Sequence, residues 1–572
     1  MCGICCILPC PDRKKVDPQW IQRSCLHDLL KCRGPDHFST SQIPLNGPRG
    51  DDCFLTFVSS VLSMRSSSLT RQPLENSKTG DILLFNGEIF SGFGSSASSF
   101  DYAEINDGEI LLNDLSNLNR DEDILRYVQN LSGPYSFILY KRTFYYILQK
   151  SLQKLYAARD YFGQRSLTMS MSSDDNHFVI SSILPKNIDL RFEMEIDAGR
   201  LYSIDLNNYL ASKIVNLDDL QNSCLKIYPF NDEIYNVPLN LDDKIDAEID
   251  FDLSCKIYQK EITDFSENLS NAIKKRLDCL YEKYKMMSNN ENVAKIAVLF
   301  SGGVDSLLLT LLINQLWPEN WPIDLLNLSF GKNLPDKNVN YDSPDRLEGR
   351  KSFLELKCVI EKRNFRRRRF NFVEINVEKQ ELEKMRREKI AHLIRPAKTV
   401  MDDSLGCILW FAARGRGFLD DEEYVSQARA LFLGSGADEL LGGYARTHFR
   451  NFGYPGLAQL LTKELTEIST RNFGRDDRVI SDNGKESHSP FMDLDFIKFC
   501  HKFLPLNLKT RLDWAKVLYE NGFRRATFLP KKAMQFGTRL AKMEEKSEKG
   551  SDFCRRLFTN DYVDENSNKK KM

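Results

Sequence analysis

Apolar positions in the second half of this chain follow two alternating periods. Phe265, Leu269, Ile273 and Leu277 recur every fourth residue, the spacing of an amphipathic helix that ends in basic residues. Soon afterwards five β-prone apolar residues, Ile296-Ala297-Val298-Leu299-Phe300, run into Ser301-Gly302-Gly303-Val304-Asp305-Ser306 and then into the helical run LLLTLLINQL. Further strand-like runs at 322–330, 370–377 and 430–434 alternate with helical stretches at 347–363, 378–392 and 404–414. Strands alternating with helices predict a parallel, doubly wound α/β sheet that binds ligand at the carboxyl ends of its strands. The first third reads differently. Short runs such as DILLFNGEIF from Asp81 and GPYSFILYK from Gly133 have strand character, and 203–206 reads as a closing strand. Residues 207–260, rich in Asp and Asn, read as a linker with loosely attached strands. The expected division is therefore 2–206, a linker at 207–260, 261–550, and a tail at 551–572 whose end, NSNKKKM, reads as frayed.

Composition narrows the function classes. The chain has 572 residues and a net charge of −1, so no global basic field points to nucleic acid. Arg366–Arg369 form a local basic run without interleaved aromatics, read as a solvated face or turn. No apolar run approaches the ~20 residues of a membrane span, and the opening MCGICCILPC lacks the basic n-region of a secretory signal. Fourteen cysteines without regular spacing fit a reduced, cytoplasmic protein.

Cys2, Cys5, Cys6 and Cys10 admit two readings. Cys2-x-x-Cys5 has the spacing of metal ligands, but a second Cys or His pair is missing nearby. Alternatively, loss of Met1 would leave Cys2 with a free α-amine, of unperturbed pKa ~8, within reach of its own thiol. That amine can act as general base for the thiol without a histidine.

The Ser301–Ser306 turn offers backbone N–H groups and a helix N-terminus to an anion, without the lysine ending of a Walker A loop. It resembles the pyrophosphatase loop of ATP-dependent adenylating enzymes. Gly434-Ser435-Gly436-Ala437-Asp438-Glu439 with Gly442-Gly443-Tyr444 resembles the GxGxDExxxGGY stretch of asparagine synthetases. Arg33-Gly34-Pro35-Asp36, Gln72-Pro73-Leu74, Asn86-Gly87-Glu88-Ile89 and Asn106-Asp107-Gly108 resemble, in that order, the class II glutamine amidotransferases. The resemblance implies a four-layer αββα Ntn-hydrolase-like domain followed by an α/β ATP pyrophosphatase domain. It implies that Cys2 attacks glutamine, Asn86 and Gly87 stabilise the oxyanion, and Glu88 and Asp107 hold the α-ammonium. Asp305 and Asp438 would hold Mg²⁺, with Ser301, Gly302, Gly303, Ser306, Gly434, Gly436 and Lys532 around the phosphates of ATP. The implied partners are glutamine, ATP and a carboxylic acid, aspartate first among them. The implied reaction makes asparagine, AMP and pyrophosphate.

Departures from the pattern are specific. The glutamine-carboxylate arginine falls on Val61, eleven residues before Gln72, with Arg65 as the nearby substitute. The glutamate that assists ammonia attack falls on Pro396, with Asp402 and Asp403 following. In the ExRxPFLD segment Glu486 is kept, but His488 stands where the family has arginine. Arg159 and Asp160, in a segment similar to the family's RDxxGxxxL turn and read as structural, can pair while Gly163 turns the chain. Two readings follow: an ATP-using amidotransferase, or an impaired homologue that binds nucleotide and acts as an interaction partner.

Overall fold

The computed structural model describes residues 2–8, 18–46, 52–65, 68–94, 106–145, 150–174, 177–241, 251–286, 291–333, 339–363, 368–443, 446–509, 511–530, 532–543 and 549–557. Cys10, Arg366, Arg367, Tyr444 and the chain's last residues, from 558, lie outside them.

Alternation along Gly3–Leu8 sets up the first half. Ile4, Cys6 and Leu8 join one core and Cys5 and Ile7 join another, because successive strand side chains point to opposite faces. The strand is central in a six-stranded antiparallel sheet ordered Leu190–Glu195, Thr168–Ser172, Phe178–Ser181, Gly3–Leu8, Asp52–Val61, His37–Asn46. A second six-stranded sheet runs Leu225–Pro229, Arg200–Asp205, Lys150–Arg159, Tyr135–Tyr145, Ile82–Gly87, Leu74–Glu75. Ile82, Leu84, Ile138, Tyr140 and Leu155 of this sheet meet Ile4, Cys6 and Leu8 of the first in the inter-sheet core. On the outer faces, Trp20, Leu26 and Leu30 pack with Cys5 and Ile7, while Leu111, Leu115 and Ile124 pack with Leu83 and Phe85. Helices Leu26–Arg33 and Asp107–Ser116 thus enclose two sheets, giving four layers. Within the stretch read as linker, Leu206–Ala211 and Leu217–Ser223 are helical, and Leu225–Pro229 pairs with Arg200–Asp205 as an edge strand.

The second half carries a seven-stranded sheet ordered Glu422–Val425, Arg416–Leu419, Phe370–Val377, Ile323–Phe330, Ile296–Leu299, Ala430–Phe432, Glu486–His488. The last five of these are parallel, and an antiparallel hairpin extends the edge. After Ile296–Leu299 the chain adds strands first on one side and then on the other. The order therefore reverses between Ile296–Leu299 and Ala430–Phe432, where a doubly wound sheet opens a crevice. Helix Gln259–Met286 buries Phe265, Leu269, Ile273 and Leu277, the residues its period predicts.

Two expectations change, and one of the open readings of Cys2 and Cys5 closes. Arg159 and Asp160 do not bond to each other. Arg159 donates to the carbonyls of Arg165 (2.7 Å) and Ile196 (2.8 Å), and Asp160 accepts from the backbone of Phe162 (3.0 Å) and Gln164 (2.9 Å). Each saturates the turn separately, which buried backbone polar groups require. In the basic run, Arg368 is buried rather than solvated. It donates to the carbonyls of Asn314 (3.0 Å), Trp317 (2.6 Å) and Trp321 (2.8 Å), neutralising the C-terminal end of helix Val304–Leu316. The Cys2–Cys5 pair cannot share a metal, because strand alternation sends Cys2 and Cys5 into different cores.

Ion pairs, the first two buried, join the halves. Arg33 meets Asp477 at 2.7 Å and donates to Ser481 Oγ at 2.5 Å. Arg165 meets Glu486 at 2.5 Å, and Asp36 takes a fork of two bonds from Arg429 at 2.7 and 3.0 Å. Arg33 and Asp36 belong to the RGPD motif, whose charged ends thus reach across the chain rather than to reacting atoms.

Candidate functional site

A narrow cavity of about 40 Å³ gathers Cys2, Val61, Arg65, Gln72, Gly87, Glu88, Asp107 and Glu486 among its walls. Gly3–Leu8 and Ile82–Gly87 bring Cys2 and Asn86 together: the Cys2 backbone N–H donates to Asn86 Oδ1 at 2.8 Å. The Asn86 Nδ2 is buried and has no hydrogen-bond partner among the described residues, an uncommitted donor of the kind an oxyanion requires. Gly87 sits at φ +143, where a Cβ would stand 2.1 Å from the Pro134 carbonyl, so only glycine fits. Gln72 is locked by two 2.8 Å bonds to the Phe85 backbone, with its Nε2 3.5 Å from Cys2 Sγ. Burial pushes the Cys2 thiol pKa up, so the neutral form is favoured until a base acts.

The acidic residues differ in their commitments. Asp107 accepts from the Ile89 backbone at 2.9 Å and pairs with Arg65 at 3.1 Å. Arg65 also donates to the Ile89 carbonyl at 3.2 Å, while its Nε is buried without a partner. Arg65 and Val61 line the same cavity, so the substitute arginine lies in the pocket where the resemblance needs one. Glu88 is buried, with neither carboxylate oxygen hydrogen-bonded among the described residues. Burial, and then the charge of Glu486, raise its pKa well above the ordinary range.

A larger cavity, about 440 Å³, opens at the switch point of the parallel sheet. Ser301, Asp305 and Ser306 from one strand end share it with Gly434 and Asp438 from the next, and exposed Lys532 reaches its wall. Gly302, Gly303 and Gly436 are not on the wall; they shape the loops. Gly302 has φ +80, and a Cβ there would meet the Gly349 backbone at 2.6 Å.

Asp402 and Asp403, the nearby acids after Pro396, are spent on structure. Asp402 closes the capping box with Thr399 and pairs with Arg475 at 2.7 Å; Asp403 pairs with Arg386 at 2.9 Å. The acid that sequence reading missed is Glu464, on the wall of the same cavity. Burial, with Glu439 and Asp438 nearby, pushes its pKa up to about 7. It sits on helix Arg446–Ile468, whose polar-apolar pattern gave no signal that one of its acids faces a strand-end cavity.

Residues 60–187 match the family described as glutamine amidotransferase domain. The matched stretch contains Asn86, Gly87, Glu88 and Asp107 and begins after Cys2. Full-length relatives are more specific. Asparagine synthetase domain-containing protein 1 of Homo sapiens is 34% identical over 97% of this chain and 98% of its own. The protein of that name from Mus musculus is 32% identical over 97% and 99%. A Drosophila melanogaster asparagine synthetase domain-containing protein is 31% identical over 92% and 96%. The chain belongs to the asparagine synthetase domain-containing protein family. Among solved structures, a B. subtilis glutamine phosphoribosylpyrophosphate amidotransferase overlaps 57% of this chain and 66% of its own at 14% identity. Its TM-score of 0.26 carries no argument.

Proposed function

We propose that this protein is an ATP-dependent amidotransferase that hydrolyses glutamine at Cys2 and uses the nitrogen to amidate an activated carboxylate, aspartate first. The support is that two complete polar cavities occur in one chain. One is lined by Cys2, Gly87, Asp107 and Arg65, with the buried Asn86 Nδ2 of the residue bonded to Cys2 left without a partner among the described residues; the other is lined by Asp305 and Asp438 from separate strand ends with Lys532.

In the first cavity, with Met1 removed, the Cys2 amine takes the thiol proton as sulfur attacks the glutamine amide. Asn86 Nδ2, aided by Gly87, meets the charge that develops on the amide oxygen. Glu88 and Asp107 hold the α-ammonium, and Arg65, using its free Nε, takes the carboxylate in place of Val61. In the second cavity, the paired carboxylates suit a hard, oxygen-liganded cation. Mg²⁺ bound there supplies charge neutralisation on the phosphates of ATP. Ser301, Ser306 and the N-terminus of helix Val304–Leu316 orient those phosphates, and Lys532 adds a positive charge. Glu464 is the base that assists ammonia attack where Pro396 cannot, since a pKa near neutrality suits that task.

A nucleotide-binding partner without turnover is favoured by one observation, the structural engagement of both Asp402 and Asp403. The deciding experiment is pyrophosphate release across a panel of carboxylic acids, with glutamine or ammonium as nitrogen source. Release with one acid and either source supports the enzyme. Intact MgATP binding without release from any acid favours the partner.

A further inference from the structure

One side of the larger cavity is built by a widened helical turn. Helix Arg446–Ile468 passes into a π-turn, Ser469–Phe473, before helix Gly474–Ser481 begins. The turn is closed by the Gly474 N–H on the Ser469 carbonyl, one residue further than in an α-helix. Ser469 and Phe473 stay buried, while exposed Arg471 and half-buried Asn472 line the cavity with Glu464 and Arg475.

The described wall carries three cations, Arg471, Arg475 and Lys532. Arg475 is spent on Asp402 and Asp476, each at 2.7 Å, and Lys532 is assigned to the phosphates. The Arg471 guanidinium makes no hydrogen bond or ion pair among the described residues; only its carbonyl is engaged, by Arg475 Nη1 at 2.7 Å. The acids in its surroundings are otherwise occupied. Asp438 is assigned to Mg²⁺, Glu439 accepts from Asn472 Nδ2 at 3.0 Å, and Glu467 pairs with Lys463 at 3.9 Å. Glu464 keeps its proton up to about pH 7, although Arg471 is near enough to favour its ionised form. Arg471 therefore stands beside the base assigned to ammonia attack, at the acceptor's end of the cavity. A guanidinium with its donors free is matched in shape and charge to a carboxylate.

We propose that Arg471 determines acceptor specificity by holding a second carboxylate, the one that is not activated. The substrate class is then the dicarboxylic acids, with aspartate as one member. This assignment rests on the proposed function, which requires one carboxylate and leaves the rest of the acceptor open. A monocarboxylic acid forfeits a fork of two charge-assisted bonds. The carboxylate held by Arg471 is remote from the bond being made, so the loss falls mainly on KM.

The test is pyrophosphate release by the full chain with ammonium as nitrogen source, comparing aspartate with β-alanine and succinate with propionate. Each pair differs by the second carboxylate alone. In whichever pair turns over, the diacid should have the higher kcat/KM. Arg471→Met should cut that advantage about ten- to a hundredfold, and Arg471→Lys should restore part of it. Arg471 is exposed, so both variants should match the wild type in circular dichroism melts. An unchanged ratio overturns the proposal, as does turnover confined to monocarboxylic acids. A comparable loss of MgATP affinity in Arg471→Met without any acceptor overturns it too, and moves Arg471 to a phosphate. If no acid supports release, the enzyme reading fails and saturation-transfer NMR of aspartate and succinate with MgATP decides the clamp separately. Binding by the wild type that is lost in Arg471→Met keeps it; equal or absent binding removes it.

Discussion

Replacing Arg65 by methionine keeps much of the side-chain volume and removes the charge from a buried pair. Arg65 and Asp107 are 8% and 4% exposed and 3.1 Å apart, so the loss leaves a carboxylate in a place water scarcely reaches. Breaking such pairs costs about 3–5 kcal/mol. Asp107 keeps the Ile89 N–H at 2.9 Å and the Gly108 N–H at 3.1 Å, which temper that figure to roughly 2–4 kcal/mol. Urea denaturation at pH 7 should show this as a lower midpoint, and Asp107→Asn added to Arg65→Met should restore at least half of it. The same substitution removes the carboxylate clamp assigned to Arg65. Losing ~1.5–3 kcal/mol of charged hydrogen bonding raises the glutamine KM by about one to two orders of magnitude. The glutamine carboxylate is remote from the bond being cut, so kcat should change little. The reasoning fails if the midpoint is unmoved. It also fails if Val61→Arg lowers the glutamine KM while Arg65→Met leaves it unaltered.

Asp305→Ala and Asp438→Ala should each abolish Mg²⁺-dependent ATP affinity with the fold intact; unchanged MgATP binding by calorimetry in both would refute the paired-carboxylate assignment. Glu88 has its pKa raised in the folded protein, so its proton is kept on folding and released on unfolding. Its contribution is fully present below the unfolded value of ~4.3 and is lost as pH rises toward the raised folded value, so wild-type midpoints should fall from pH 5 to pH 8 more than those of Glu88→Gln. The ratio of wild-type to Glu464→Gln rates with ammonium, in which ammonia ionisation cancels, should climb through about pH 7 in a pH–rate series. A flat ratio removes Glu464 as the base.

What the sequence disclosed was mostly local. Apolar period marked Phe265–Leu277 and the parallel strands because burial on one or both faces leaves a repeat in the chain. The glycines at 87 and 302 were visible because their backbones admit no side chain. Contacts between distant segments left no such trace. Glu486–His488 has only three residues and no period, yet it closes the sheet and lines the Cys2 cavity. The pairing of Arg33 with Asp477 joins residues more than 400 positions apart, and the RGPD stretch that holds Arg33 gave no sign of that partner. Glu464 was hidden because its neighbours, Glu439 and Asp438, come from another element.

The buried pairs between the halves have a consequence for assembly. Arg33, Asp477, Arg165 and Glu486 are each 2% exposed or less, so severing the chain in the stretch around 242–250 would strip counter-charges from both fragments at once. Neither fragment is then a self-sufficient module, and each would recognise the other by a lock of matched charges rather than by grease alone. Fragments co-expressed from two such chains should re-form a working body only when their locks agree. Reversing one pair in both fragments together, Arg33→Asp with Asp477→Arg, would create a second, mutually exclusive set of halves.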